Sequence, residues 1–284
     1  MDTVTLNNGV EMPLLGYGVY QVKPEECERC VLDALSVGYR LIDTAQAYFN
    51  EEGVGRAISS SGVTRKDLFI TTKVWVDNYG YEKAKESVFR SLDKLKCDYL
   101  DLVLLHQPFS DYYGAYRALE ELYQKKLLRA IGVSNFYPDR LSDLCAFNEV
   151  TPQVNQVETN PLNQQILAQE NMVKNKVQIE SWAPFGEGRN NMFTIELLQQ
   201  LGHKYHKSVA QIILRWLVQR GVVALAKSVH RERMQENFEI FDFELSPEDM
   251  AQIQTLDKAK SLFFSHQDPA TVDFFVDLIR KRRQ

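Results

Sequence analysis

The chain has 284 residues, 44% of them hydrophobic and 25% charged, with a formal net charge of −5. That length holds one large domain or two small ones, and the composition is that of a soluble globular chain. The acidic balance argues against nucleic acid or an anionic membrane as the main partner, and the one basic exception, Arg280-Lys-Arg-Arg283, is expected to be a solvated tail.

No apolar run reaches the roughly 18 residues of a membrane span, and Met1-Asp-Thr-Val-Thr5 lacks signal-peptide character, so the expected location is cytoplasmic. Val4 to Met12 alternates apolar and polar residues around Asn7-Asn8-Gly9, a hairpin signal. Leu14 to Gly18 predicts a strand whose Gly-x-Gly is too short for a dinucleotide fingerprint. Pro24 opens a helix that Gly38 ends. Within that helix Cys27 and Cys30 form a CxxC, but no second pair and no nearby histidines accompany it, so no metal site is expected. The alternatives for the CxxC are a redox motif or two thiols on adjacent turns.

Tyr39-Arg-Leu-Ile-Asp43 predicts a strand ending in an acid, and Asn50 opens the next helix with Glu51 and Glu52 in its dipole-favoured first turn. Strands and helices then alternate. Strands are predicted at 67–73, 100–106, 128–135, 152–157, 177–182 and 221–227. Helices are predicted at 81–96, 116–126, 138–147 and 164–176, at 193–219 with a break near Lys207-Ser208, and at 247–256. With Leu14–Gly18 and Tyr39–Asp43 the strands number eight, which predicts an α/β fold of parallel βα units closed into a barrel over 1–284 as a single domain.

Three strand ends carry one ionisable side chain each: Asp43, Lys73 and His106, with Tyr48 in the loop after the first. Strand ends of such a barrel open on one face, so these four side chains are expected to meet. A phenol is a weak acid; a neighbouring ammonium favours its phenolate and an aspartate keeps the ammonium charged. A histidine beside the same site can hydrogen-bond a developing oxyanion. Taken singly, each has a structural alternative: a cap, a surface aromatic, an internal ion pair.

The stretch Gly38 to Gly55, with Gly-x-Arg-x-x-Asp-Thr-Ala-x-x-Tyr-x-Asn-Glu inside it, resembles the first signature of the aldo-keto reductases. Ala130-Ile-Gly-Val-Ser-Asn-Phe136 resembles the second, and Leu225 to Asn237 the third, with Ala226 where the common form has Pro. The resemblance covers nearly the whole chain. It implies a (β/α)8 TIM barrel with the N-terminal hairpin as a plug and the C-terminal tail over the mouth. It implies Tyr48 as the acid, Lys73 and Asp43 as its tuning groups, and His106 orienting the carbonyl. It further implies NADPH as cofactor. Ser134, Asn135 and Gln156 would hold the nicotinamide carboxamide and Trp182 would stack on the ring. Lys227, Ser228 and Arg233 would take the 2′-phosphate, and Glu236 and Asn237 the adenine. Gly18, Val19, Tyr20, Asp43, Ala183, Pro184, Phe185 and Val229 would complete the cofactor site. Phe185 to Asn191 matches a flexible segment that folds over the pyrophosphate.

The expected substrate pocket is Tyr20, Phe49, Trp75, His106, Gln107 and Phe264, with Tyr112 or Tyr113 as further candidates. Gln107 stands where the family commonly has Trp, and the segment after Pro108 is short, so small carbonyls, dicarbonyls or keto-sugars such as 2,5-diketogluconate are expected. This is similar to the bacterial 2,5-diketogluconate reductases and the protozoan prostaglandin F synthases. In the tail, Phe263 or Phe264 is expected near Trp75 and Tyr20, with His266 in the wall. The expected protein is a monomer that reduces aldehydes and ketones. The alternatives are a non-catalytic NADP(H)-binding regulatory subunit, which needs only the cofactor residues, and a phosphate-sugar isomerase on the same barrel.

Overall fold

The structure is a computed structural model and describes residues 2–283. Eight parallel strands close into a barrel: β3 (Leu15–Gly18), β4 (Leu41–Asp43), β5 (Phe69–Val74), β6 (Leu100–Leu105), β7 (Leu128–Ser134), β8 (Val154–Glu158), β9 (Gln178–Trp182) and β10 (Val223–Ala226), the last pairing back onto β3. Between them run α1 (Pro24–Val37), α2 (Glu51–Ser60), α3 (Tyr81–Leu95), α4 (Tyr112–Gln124), α5 (Pro138–Phe147), α6 (Ile166–Lys174) and the pair α7 (Glu196–Tyr205) and α8 (Val209–Gln219). After β10 come α9 (Arg231–Phe238), α10 (Pro247–Gln254) and α11 (Pro269–Arg283). The predicted alternation is therefore the observed one. Among the described residues no helix is long and apolar enough to cross a membrane.

The strand period of two decides which side chains enter the barrel. Leu41, Phe69, Leu102, Leu104, Ala130, Val154, Val223 and Leu225 form an interior cluster; Ile42, Ile70, Val103, Ile131 and Ala224 belong to the outer layer under the helices. Continued in steps of two along the strands, the inward parity falls on Asp43, Lys73, Ser134 and Gln156, and on Glu180, which pairs with Gln156. The same alternation that fills the lower barrel with apolar groups thus delivers polar ones to its upper layer. The lower end is closed by the hairpin β1 (Thr3–Thr5) and β2 (Glu11–Pro13), paired Val4 to Met12, whose Leu6 and Met12 join the interior cluster.

Local chemistry departs from expectation at three helix starts. Asn50 precedes α2, but its side chain does not cap it. Its amide instead donates to the carbonyls of Val19 and Val22 at 2.9 and 3.1 Å and accepts from the Thr44 hydroxyl at 2.9 Å, tying two loops of the upper rim together. α4 begins one turn before the expected Tyr116, because Asp111 accepts from the Gly114 amide at 2.9 Å. α11 was not expected at all. Asp268 caps it, accepting from the Ala270 amide at 3.0 Å, and Thr271, Phe275, Leu278 and Arg282 fall on one helical face. The four cysteines are free, with Cys27, Cys30 and Cys97 buried and Cys145 half-buried. Burial pushes the Cys27 thiol up to about 12 and that of Cys145 up to about 11.

Gly55 sits where α2 crosses the end of α3. A Cβ there would be driven into the Lys94 carbonyl oxygen and to 2.9 Å from the Leu95 Cα, both backbone atoms that cannot rotate away. Helix propensity favours Gly→Ala by roughly 1 kcal/mol, whereas overpacking costs about 1–3 kcal/mol. Gly55→Ala is therefore expected to lower the urea midpoint; a raised midpoint would show that the crossing yields.

Candidate active site

Asp43 ends β4, and Lys73 lies one residue before the end of β5; both are buried, Lys73 completely. The Lys73 ammonium donates to Asp43 Oδ1 at 2.5 Å, to the Thr44 carbonyl at 3.0 Å and to the Tyr48 hydroxyl at 3.3 Å. Its three donors are thereby accounted for. Burial works against the charge, but Asp43 and Tyr48 hold the Lys73 pKa above its ordinary value. Tyr48 is carried by a 3₁₀ turn, Gln46–Tyr48, pinned by Gln46: its side-chain oxygen accepts from the Trp75 amide at 3.0 Å and its amide donates to the Ser87 carbonyl at 3.2 Å. The Tyr48 ring stands 5.6 Å from that of His106 and 5.0 Å from that of Tyr20.

Lys73 lowers the phenol's pKa, as expected, but it does not set the net direction. Burial dominates and pushes Tyr48 up to about 12; Lys73 only opposes that rise. The phenol therefore holds its proton throughout the neutral range. His106 follows β6, edge-on to Trp75 at 5.2 Å. Burial, then the Lys73 and Arg282 charges, hold its pKa well below the usual value, so the ring is neutral. Its Nδ1 is buried without a partner among the described residues.

One cavity of about 400 Å³ opens over this cluster at the strand C-terminal ends, and Asp43, Tyr48 and His106 line it. Gly18, Tyr20, Trp75, Gln107, Ser134, Asn135, Gln156, Trp182, Ala183, Pro184, Phe185, Lys227 and Phe264 line it as well. The Gln156 amide spends both hydrogens on carboxyl oxygens, Asp43 Oδ2 at 3.0 Å and Glu180 Oε2 at 2.9 Å, so its carbonyl oxygen is what it can offer a ligand. Asn135 accepts from the Trp182 indole at 2.9 Å and donates to Ser134 Oγ at 3.1 Å, which fixes that ring beside the two polar side chains. A flat aromatic, an amide oxygen and a hydroxyl converging on one cavity suit a planar ring bearing a carboxamide.

Other expected residues lie elsewhere. Val19 is fully buried beneath the wall. Ser228, Val229, Arg233, Glu236 and Asn237 follow β10 into α9 and do not line the cavity. Ser228 Oγ is committed to the His230 backbone, accepting from its amide at 3.0 Å, while Arg233 is exposed in the first turn of α9. Phe49 is 65% exposed at the rim rather than in the wall. Gln107 does line the cavity, but its amide oxygen meets His266 Nε2 at 2.9 Å, so less polarity faces inward than expected. Tyr112 and Tyr113 stack on each other at 5.0 Å, and Tyr112 meets Phe136, away from the cavity.

The tail supplies the wall, by a different route from the expected one. Phe263 packs on Trp182 at 5.1 Å and Phe264 on Phe275, while the ring beside Trp75 is Phe275 at 5.9 Å. The basic end is not a free tail. Arg282 reaches back over Trp75 and Phe49, 4.9 and 5.1 Å from their ring centroids, and lines the cavity. The Phe185–Asn191 loop is latched to the tail: Arg189 lies 4.3 Å over Phe263 and donates to the Leu262 carbonyl at 3.2 Å.

Glu180 had no sequence signal beyond its inward parity in β9. It is fully buried, its Oε1 has no partner among the described residues, and burial and then the Asp43 charge push it up to about 8. Between its unfolded value near 4.5 and about 8, the folded chain holds a proton that the unfolded chain releases. Stability is therefore lost as pH rises through that window, by at most on the order of 1 kcal/mol per pH unit. Glu180→Gln should flatten the fall of the urea midpoint between pH 5 and 8. Parallel curves for the two proteins would mean that Glu180 is ionised in the fold.

Residues 14–258 match the model of the aldo/keto reductase family. The chain is 48% identical over 259 residues to a glyoxal reductase of Bacillus subtilis strain 168, covering 90% of this chain and 93% of that one. It is 41% identical over 262 residues to the methylglyoxal reductase DkgA of Escherichia coli strain K12, covering 91% and 94%. The crystal structure of a Bombyx mori aldo-keto reductase in complex with NADP superimposes with a TM-score of 0.87 at 31% identity, over 96% of each chain. Barrel, signatures and match agree: this chain belongs to the aldo/keto reductase family.

Proposed function

We propose that this protein reduces the carbonyl group of small aldehydes, ketones and dicarbonyls to alcohols with NADPH. The observation that carries the reading is the Lys73 ammonium within hydrogen-bonding distance of both Asp43 and Tyr48 beneath a cavity that His106 also lines. NADPH, when bound, supplies the hydride. Ser134, Asn135 and Gln156 would hold its carboxamide and Trp182 its ring, and Glu236 and Asn237 would meet its adenine. With Ser228 tied to the His230 backbone, Lys227 and Arg233 are left as the main contacts for a 2′-phosphate.

Tyr48 donates its phenolic proton to the substrate oxygen as negative charge develops there. A group whose pKa is pushed up to about 12 keeps that proton ready at any neutral pH. The phenolate left behind lies beside the Lys73 ammonium, whose own proton Asp43 secures. A neutral His106 directs an N–H at the same oxygen and does not compete as the acid. The relatives named for glyoxal and methylglyoxal reduction support short dicarbonyls as a substrate class, and keto-sugars such as 2,5-diketogluconate share that chemistry. A nucleotide-binding subunit without chemistry would have no use for a buried ammonium held against a phenol.

Tyr48→Phe removes the acid and almost no volume. Its kcat for methylglyoxal is expected to fall about 10²–10⁴-fold, with NADPH affinity by calorimetry kept within a few-fold. Lys73→Met should fall comparably. Turnover of Tyr48→Phe at the parent rate would remove Tyr48 from the mechanism.

Arg233 is exposed, so its contact with a phosphate is worth about 1.5–3 kcal/mol. Arg233→Ala should weaken NADPH binding about 10- to 100-fold and leave NADH binding unchanged. Equal losses for both cofactors would reassign the 2′-phosphate contact.

A further inference from the structure

We propose that Arg282 is an anion-recognition residue of the substrate mouth, and that the preferred substrates carry a carboxylate or phosphate a few bonds from the reacting carbonyl. The proposal rests on the carbonyl-reductase reading above and deepens it. α11 lies wholly beyond the residues 14–258 that match the family model.

The geometry is that of a preformed receptor. The guanidinium lies over two aromatic rings, 4.9 Å from the Trp75 centroid and 5.1 Å from that of Phe49. Cation–ring contacts of this kind hold the head group in place without using its N–H groups. No carboxylate among the described residues pairs with Arg282; the neighbouring Arg280 is the one that pairs, with Asp277. The fork therefore lines the cavity with its charge uncompensated.

Its position relative to the chemistry is bounded by contacts. The Trp75 ring beneath it lies 5.2 Å from the His106 ring, so one aromatic side chain separates the guanidinium from the carbonyl-orienting group. The other charged cavity-wall groups stand elsewhere. Lys227 follows β10, Glu187 follows β9, and Asp43 is neutralised by Lys73. Arg282 is thus the cation on the Tyr48–Trp75 side. A substrate whose carbonyl oxygen sits between Tyr48 and His106 would direct its far end to this fork. A bidentate carboxylate or phosphate contact there strengthens binding and fixes which carbonyl of a dicarbonyl is presented.

The test compares matched pairs in the full-length protein: 4-carboxybenzaldehyde against benzaldehyde, 4-oxobutanoate against butanal, and glyceraldehyde 3-phosphate against glyceraldehyde. The anionic member is expected to show a KM about tenfold lower or more. Arg282→Met keeps the stem and removes the fork; it should erase that preference while changing KM for the uncharged members less than twofold. Arg282→Lys should restore part of it, and Arg280→Met should change nothing. The carboxylate and phosphate pairs separately report which anion is favoured.

A readout without turnover accompanies it. 4-(Hydroxymethyl)benzoate is titrated calorimetrically against benzyl alcohol, into protein alone and into protein with NADP. Tighter binding of the anion that Arg282→Met abolishes supports the subsite even if no aldehyde is reduced, in which case it is the reductase reading that fails. Equal KM and equal affinity within each pair in the parent protein overturn the proposal. So does an Arg282→Met loss that falls equally on charged and uncharged members with a lowered melting temperature, since Arg282 would then be only a brace for α11.

Discussion

A lysine ammonium with no access to water is the constraint on which this site depends. Moving it out of water costs several kcal/mol, recovered only if its partners are complete. Asp43, the Thr44 carbonyl and the Tyr48 hydroxyl complete them, and each is fixed from outside. Asp43 is held by Gln156, which is held by Glu180; the Tyr48 turn is pinned by Gln46 to β5 and α3. The upper barrel is thus one polar network around a single charge. Removing one member leaves the others buried and unpaired, so the network's rigidity and its chemistry have the same source.

Barrel and polar cluster were legible in the sequence for one reason. Period-two alternation in short strands places every second residue inside, and the inward residues toward the strand ends are the polar ones. Asp43, Lys73 and His106 could be read because they end apolar runs. Glu180 sits in a run with the same parity but is followed by Ser181 and Trp182, so nothing marked it as an end. Asn50 was read as a cap because its type and place suit one, but tertiary demand won: three loop groups needed an amide more than α2 did.

The tail was misread for a different reason. Arg280 to Arg283 looks like a solvated basic run, and Phe263-Phe264 drew attention as the apolar anchor. The stronger signal was the spacing Thr271, Phe275, Leu278, Arg282 behind an Asp-Pro start, a helix with one apolar face that ends in a cation. Charge at the end of such a face reads as solvent, but an arginine's flat head is at home on aromatic rings.

The thiols gain meaning beside the proposed substrates. Short dicarbonyls are electrophiles that alkylate the thiolates and free amines of the proteins that meet them. Cys27, Cys30 and Cys97 are buried, and the raised values of Cys27 and Cys145 keep both as thiols, the unreactive form. The lysine nearest the reacting carbonyl cannot condense with it either, because Asp43 keeps it an ammonium with no lone pair to give. These thiols and this lysine are thereby held in their unreactive forms beside such an electrophile.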